Sequence, residues 1–264
     1  MKSNKRIIAT IVVVTVTGGI ALWHSSQNHA VTLPSTSTST PADLVGVVVT
    51  SKTITQSDVA KTYQITATYP VVSGLSSASA EKTINLNLYQ AVQADISNFK
   101  SDLGGNPDVS ASSNDQSTLN ITFATTSDPV SGLISFTLDQ NTYSAGAAHP
   151  SDQVDAYTFD TGNGNQIYLT DLFSGNYLQT IATYSVQALT TQLGDDADSD
   201  QIAQGTAATQ DSFKVFVPHA DGLHIIFNQY QVASYADGIQ EITIPYSAMQ
   251  SVINKKSQLG QFVQ

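Results

Sequence analysis

Apolar and polar positions alternate or repeat along most of the chain, and they predict many strands and a few helices. Alternation over 63–72 is typical of a half-buried strand. Residues 79–103 place apolar side chains at steps of three and four, which predicts a helix stopped by Gly104 and Gly105. A second helix is predicted over 177–193. Further strands are predicted at 47–55, 119–126, 133–140, 154–160, 166–169, 213–217, 224–229 and 239–244.

Short turns between strands decide the predicted fold class. Asp128 to Gly132 has hairpin length, which favours antiparallel neighbours, and Pro70 is expected at a sheet edge. A short closing helix is predicted over 246–253. We therefore predict an α+β fold with layered, mostly antiparallel sheets and helices packed on one face. Its folded part consists of two intimately joined α/β subdomains, 44–142 and 143–264.

The N-terminus predicts export. Residues 1–6 form a basic tip, and 7–23 are uncharged and apolar, about 25 Å as a helix. Such a segment is either a membrane anchor or a cleaved signal peptide. Residues 24–43, rich in Ser, Thr and Pro, are expected to be a flexible stalk. The expected location is the cell membrane, single-pass with the C-terminal part outside, or the medium if 7–23 is cleaved.

Charge limits the classes of partner. Beyond residue 23 the chain has seven lysines, no arginine and all 21 acidic residues, a formal charge of −14. Without the arginine fork that phosphate recognition favours, nucleic acid is not an expected partner. A cationic protein would be attracted by this charge, although acidity also serves solubility alone. The chain has no cysteine, so disulfides are excluded.

Three phrases carry a family resemblance. They are Tyr-Ser-Ala-Gly-Ala-Ala-His-Pro at 143–150, the stretch 159–173, and the segment 227–246. Together they resemble the paired exported domains of RsiV-type anti-sigma factors and PdaC-type peptidoglycan deacetylases. One glycine of that family's Gly-Gly-Ala-His-Pro phrase is Ala147 here. The resemblance implies a lysozyme-binding ectodomain, and lysozyme is a cationic partner that suits the negative charge.

Two departures shape the expected function. Six residues precede the apolar segment, too few for a sigma-binding element, and the chain given ends at Gln264 without a deacetylase domain. We therefore expect a non-enzymatic extracytoplasmic binding domain tethered to a bacterial membrane, which recognises lysozyme or another cationic envelope protein. The alternative is an accessory module that binds cell-wall carbohydrate, such as peptidoglycan, in a deacetylase system.

Candidate binding residues come from the two phrases at 143–150 and 227–246. Tyrosine is a favoured interface anchor, and a histidine beside proline suits a turn. Tyr235 is the preferred surface residue, whereas Tyr246 beside Pro245 is expected in the core. The candidate binding residues are Tyr143, His149, Tyr230, Tyr235 and Asp237.

Catalytic and metal motifs are weak in this sequence. His149, His219 and His224 lack His-Glu-x-x-His spacing, so no zinc site and no cofactor are expected. The acidic run 195–200 is expected to be a solvated loop rather than a calcium loop, because Gln201 and Ala207 replace the required Gly and Glu. The sequence contains no nucleophile elbow and no phosphate loop.

Overall fold

The computed structural model describes residues 10–14, 44–58, 63–105, 116–127 and 129–263. One sheet has the spatial order β1 (Thr10–Val14), β2 (Val48–Asp58), β3 (Tyr63–Ser73), β4 (Ser117–Thr125), β5 (Leu133–Tyr143) and β6 (Ser151–Asp160). A second sheet contains β7 (Phe216–Pro218), β8 (Leu223–Phe227) and β9 (Gln240–Ile244). The helices are α1 (Ala78–Gly105), α2 (Leu169–Leu172), α3 (Tyr177–Leu193) and α4 (Ser199–Gly205). The predicted α+β class is confirmed.

The long helix α1 connects two neighbouring strands and covers the first sheet. β3 and β4 are parallel, which requires a crossover connection, whereas the other strand pairs of both sheets are antiparallel. Val92 and Ile96 of α1 pack against Ile65 and Leu119 of the sheet, and all four side chains are buried. Each such side chain contributes about 1.5–3 kcal/mol through burial, so this face fixes the helix on the sheet.

Only part of the predicted N-terminal segment falls within the described residues. Residues 10–14 form β1, which pairs antiparallel with β2 in the register Thr10 to Thr55. The rest of the predicted apolar segment 7–23 lies outside the described residues, as does the predicted stalk up to residue 43. Among the residues that the structure describes, no helix has the length and apolar character to cross a membrane.

Strand β6 joins the two halves of the chain. It follows the predicted subdomain boundary at residue 143, yet it pairs with β5 over ten residues as the last strand of the first sheet. Val154 of β6 also packs with Val215, Val217 and Ile226 from the region of the second sheet. The two units therefore share β6.

The second unit has the larger core. The inner face of β8 and β9 meets α3 and α4 around Ile181, Leu189, Phe213 and Phe227, each fully buried. Gly194 ends α3, as predicted, and its N–H donates to the Thr190 carbonyl. This core holds the loop between β8 and β9 in place.

Two local predictions are wrong, and a third, at Pro70, agrees with the strand pairing. The predicted strand 166–169 makes only a single bridge, from Gln166 to Phe159, because the Asp171 carboxylate accepts from Tyr168 N and starts α2. The predicted closing helix 246–253 is a 3-10 turn, Tyr246–Ala248, after which the chain leaves to pair with Phe173 through Ile253. Pro70 pairs with Ser51 of β2 but lies beyond the residues of β3 that pair with β4, so on the β4 side it has the sheet-edge position expected for it.

Candidate functional site

Two loops that are far apart in sequence meet at one surface. The loop 145–150 connects β5 to β6, and the loop 228–239 connects β8 to β9. The ring of His149 stacks on Tyr235 with centroids 3.9 Å apart and planes inclined by 30°. The Tyr235 hydroxyl donates to the Pro150 carbonyl at 3.1 Å, and Nδ1 of His149 lies 3.0 Å from the same oxygen. The Ala-His-Pro phrase is thus held against the tail phrase.

Tyr230 completes an aromatic patch, which we define as His149, Tyr230 and Tyr235. Its ring lies 5.8 Å from that of Tyr235. The side chain is 57% exposed, and the backbone has a φ of 66°. Among the described residues, Tyr230 is the one non-glycine residue in the left-handed region, which costs a tyrosine of order 1–2 kcal/mol. The fold therefore holds this aromatic ring on the surface in a strained conformation.

Amide side chains before Tyr230 attach its turn to β6. Asn228 accepts from Val154 N at 2.7 Å and donates to Val154 O at 3.0 Å, so its amide continues the hydrogen bonding of the sheet. Gln229 accepts from Asp152 N at 2.9 Å. These bonds satisfy backbone groups along the outer edge of β6, which would otherwise need water or another strand.

Further amides attach the same turn to α4. Gln231 donates to Gly205 O and Ser212 O at 3.1 and 2.9 Å. Gln201 donates to Tyr230 O and Ala233 O at 2.9 and 2.8 Å. A Cβ atom at Gly205 would lie 2.0 Å from the Gln231 carbonyl, so the loop packs directly on the end of α4. Tyr230 is displayed by a turn that is fixed on both sides.

The acidic segment, residues 195–200, immediately precedes Gln201, whose side chain binds the turn that carries Tyr230. Asp195, Asp196, Asp198 and Asp200 are all exposed. The Asp198 carboxylate caps α4 by accepting from Asp200 N and Gln201 N at 2.9 and 3.1 Å. Asp198 therefore has a structural role as the cap at the start of α4.

The remaining sequence candidates have structural positions of different kinds. Tyr143 is half-buried at the end of β5, where the first loop begins. The Asp237 carboxylate accepts from the backbone N–H and hydroxyl of Ser234 at 3.1 and 2.7 Å, so it shapes the second loop. Tyr246 is buried, and its hydroxyl donates to His219 O at 2.8 Å, which confirms the core position predicted for it. His149, Tyr230 and Tyr235 are the candidates that share a surface.

The sequence analysis missed a polar group at the β7–β8 hairpin. His219, Asp221 and His224 bring their nitrogen and oxygen atoms within 4.8 Å of one another. Burial lowers the pKa of His224, but its bonds to Glu241 and Asp221 raise the pKa by more, so the net shift is upward. The available signal was His-x-Asp-x-x-His across a Gly-containing turn, which places both ends of the motif on one hairpin.

A second missed group is a carboxyl pair beneath α1. Burial raises the pKa of Asp95 to about 6, the Asp155 charge adds to this, and a hydrogen bond to Gln140 opposes it. Burial also raises the pKa of Asp155, which accepts from Gln140 at 2.7 Å. Asp155 and Lys214 line a cleft of about 280 Å³ together with the exposed Tyr168. No local pattern in the sequence indicates this pair, because its members lie 60 residues apart on α1 and β6.

Comparison with known proteins places the second unit in a family context. A family model described as "Protein of unknown function (DUF3298)" matches residues 170–247, from α2 to just beyond β9. No curated protein matches the chain.

Two crystal structures of proteins described as members of that family align with this chain. The chain is similar to a DUF3298 family member from Bacteroides fragilis NCTC 9343, with a TM-score of 0.59 and 17% identity, covering 79% of this chain and 94% of that one. A DUF3298 family protein from Pseudomonas aeruginosa PAO1 has a TM-score of 0.46 and 14% identity, covering 77% and 94%. At this identity the first similarity establishes the fold alone. The class of protein is therefore an α+β protein in which residues 170–247 match the DUF3298 model.

Proposed function

We propose that the aromatic patch and the adjacent acidic segment form a binding surface for a cationic protein outside the cell membrane, and that the domain is not an enzyme. The proposed binding partner is lysozyme or another cationic envelope protein. The family model and the structural similarity carry no information on a partner, so the proposal rests on the surface itself and on the sequence resemblance to RsiV-type ectodomains.

The conformation of Tyr230 is the observation that carries the proposal. A residue that served stability alone would be glycine or asparagine at a φ of 66°, because these residues adopt the left-handed region with less strain. Tyrosine instead exposes 57% of its surface there. Tyrosine is enriched among residues that dominate protein interfaces, because it buries a large rigid ring and retains a polar hydroxyl.

Charge supports a cationic partner. The acidic segment places four exposed carboxylates next to the turn that carries Tyr230, within a domain of formal charge −14. Such a field accelerates encounter with a positively charged protein and repels anionic polymers. The aromatic rings would then supply the short-range contacts that slow dissociation.

Lysozyme binding to the immobilised full chain tests the proposal. Tyr230→Ala is expected to weaken binding by about tenfold or more, equivalent to about 1.4 kcal/mol. Tyr168→Ala is the matched control because Tyr168 is exposed to 55%, almost as much as Tyr230, but lies at the cleft beside Asp155. Equal effects of the two substitutions, or no lysozyme binding by the unmodified chain, would refute the proposal.

The alternative function is recognition of cell-wall carbohydrate. An exposed aromatic ring also suits stacking against a sugar, which is the observation that favours this alternative. Sugar stacking depends little on salt, whereas charge-assisted protein binding weakens as salt rises. Sedimentation with insoluble peptidoglycan that persists at high salt, and that Tyr230→Ala abolishes, would support the carbohydrate alternative.

We also propose that the N-terminal segment tethers the domain to a membrane. The support is the basic tip followed by 17 uncharged residues in 7–23. Insertion of this segment would require residues 10–14 to leave the edge of β2. Membrane partitioning of the full chain tests the tether, and full-length protein found wholly in the medium would contradict it.

A further inference from the structure

The β7–β8 hairpin concentrates metal-ligating side chains within six residues. His219 follows β7, Asp221 lies in the turn, and His224 lies on β8. The turn is closed by a hydrogen bond from His219 N to Gly222 O at 2.9 Å. One potential ligand atom from each of the three residues lies within 4.8 Å of the other two. Within the described part of the chain, it is the one group of three or more residues that could together hold a metal ion.

The orientation of His224 is that of a supported metal ligand. Its Nδ1 lies 2.6 Å from Oε1 of Glu241, which is on β9 two residues from the direct cross-strand partner Thr243 and therefore on the same face. Its Nε2 is directed towards Asp221, 3.0 Å from Oδ1. Histidine ligands in metal sites usually donate their second ring N–H to a carboxylate, which fixes the ring and its tautomer. Glu241 occupies that position.

His219 is held by its backbone beside His224. Its carbonyl accepts from the buried Tyr246 hydroxyl at 2.8 Å, and the residue forms a β-bridge with Pro129. Its ring stacks on His224 with centroids 3.9 Å apart and planes inclined by 24°. One imidazole nitrogen of His219 thereby lies within 4.8 Å of the ligand atoms of Asp221 and His224.

We propose that His219, Asp221 and His224 bind a zinc ion, with Glu241 positioning the His224 ring. Two imidazole nitrogens and one carboxylate oxygen form a zinc ligand set, whereas calcium and magnesium prefer sites made wholly of oxygen. Bonds of about 2.0–2.2 Å place tetrahedral ligand atoms about 3.3–3.6 Å apart. The three ligand atoms lie within 4.8 Å of one another, so binding requires them to approach by at most about 1.5 Å. The half-exposed position of both histidines leaves the fourth zinc position to water.

Zinc at this position would stabilise the second sheet. The ion would join the turn to β8 and, through Glu241, to β9. Because the ligands converge only in the folded hairpin, binding raises stability with the logarithm of the ratio of zinc concentration to Kd. This site is independent of the proposed lysozyme surface, since none of its residues belongs to the aromatic patch or the acidic segment.

Calorimetric titration of the full chain with zinc chloride tests the inference. His24 and His29 are replaced by alanine in every sample, because these two histidines could bind zinc independently. We expect one zinc per chain, no saturable binding of magnesium, and a melting temperature that rises with zinc. His219→Ala and His224→Ala should each abolish the one-to-one binding. Asp196→Asn is the control at an exposed carboxylate outside the hairpin and should leave the titration unchanged.

Two further measurements separate metal binding from a folding defect. Glu241→Gln keeps all three ligands, so it should retain one-to-one binding with an affinity lowered about 10- to 100-fold. Cobalt in place of zinc should show intense visible bands of a tetrahedral site, absent in His224→Ala. Zinc binding that survives both histidine substitutions, or no saturable binding by the parent chain below about 1 mM zinc, would overturn the inference. Circular dichroism identifies any variant that has lost its fold.

Discussion

His149 stacks on Tyr235 at a centroid distance of 3.9 Å, and the Tyr235 hydroxyl donates to the carbonyl of the next residue, Pro150. This contact joins the β5–β6 loop to the β8–β9 loop. One tyrosine thus fixes both loops that form the proposed binding surface.

Removing the Tyr235 hydroxyl should loosen this junction. Tyr235→Phe keeps the ring stack but loses the bond to Pro150 O, and such a bond contributes about 0.5–1.5 kcal/mol. We expect the free energy of unfolding in urea to fall by about 1 kcal/mol. Tyr168→Phe, at an exposed ring elsewhere, should change it by less than about 0.5 kcal/mol. Equal stability of Tyr235→Phe and the parent protein would show that the bond from Tyr235 to Pro150 O does not stabilise the fold.

Relief of strain at Tyr230 should separate stability from binding. Tyr230→Gly removes the penalty of a φ of 66°, partly offset by the greater freedom of glycine in the unfolded chain. We expect the free energy of unfolding to rise by about 0.5–1 kcal/mol, while lysozyme binding weakens by about tenfold or more. Thermal denaturation and binding kinetics on the same sample check the two effects. A variant that is both less stable and fully active in binding would contradict this account.

The acidic segment should act on the association rate. Asp195→Lys with Asp196→Lys changes two exposed carboxylates and leaves Asp198, the cap of α4, intact. At low salt we expect association with lysozyme to slow by about tenfold and dissociation to change little. The difference should shrink near 0.15 M salt, where screening acts over about 8 Å.

A charge-matched control tests whether position matters. Asp102→Lys with Asp211→Lys makes the same change in net charge at exposed sites on α1 and before β7. This control should slow association less than the change in the acidic segment does. If both double variants slow it equally, only the net charge acts and the acidic segment has no special role.

Asp95 should make stability depend on pH. Its pKa is raised by burial and by Asp155 to about 6, against an ordinary value of 3.8, so the folded state binds the proton more tightly than the unfolded state does. The resulting stability is fully present below about pH 4 and is lost as pH rises to about 6. Asp95→Asn should make stability depend less on pH between about pH 4 and pH 6. It should also stabilise the protein at pH 7 by about 1 kcal/mol, a value reduced for partial exposure to solvent.

Unfolding curves between pH 4 and pH 8 measure that effect. Asp102→Asn, on the exposed side of the same helix, is the control and should keep the slope of the parent protein. A slope that is unchanged in Asp95→Asn would assign the pH dependence to other groups, among which Asp155 would be the next to test.

Regular elements followed from local patterns in the sequence. The helix predicted over 79–103 is α1, and the strand predicted over 63–72 is β3, because periodic burial over many residues leaves a strong signal. The prediction of a strand over 166–169 was wrong because one side chain, that of Asp171, starts a helix where the apolar pattern suggested extended chain. Short segments depend on single contacts of this kind, which periodicity does not record.

The site was predictable only as a set of residues. Two related phrases pointed to His149, Tyr230 and Tyr235, but their contact depends on Asn228 binding the edge of β6. The positive φ of Tyr230 likewise results from tertiary hydrogen bonds to the turn, since tyrosine has no local preference for it. The hairpin histidines were missed because their relation to Glu241 arises from strand pairing.

Amide hydrogen exchange of the full chain with and without lysozyme tests the central claim most directly. Added lysozyme should slow exchange in the loops 145–150 and 228–239 and at the start of α4. Exchange around Tyr168, at the cleft lined by Asp155 and Lys214, should not change. Protection centred on that cleft, or no protection anywhere at saturating lysozyme, would contradict the proposed binding surface.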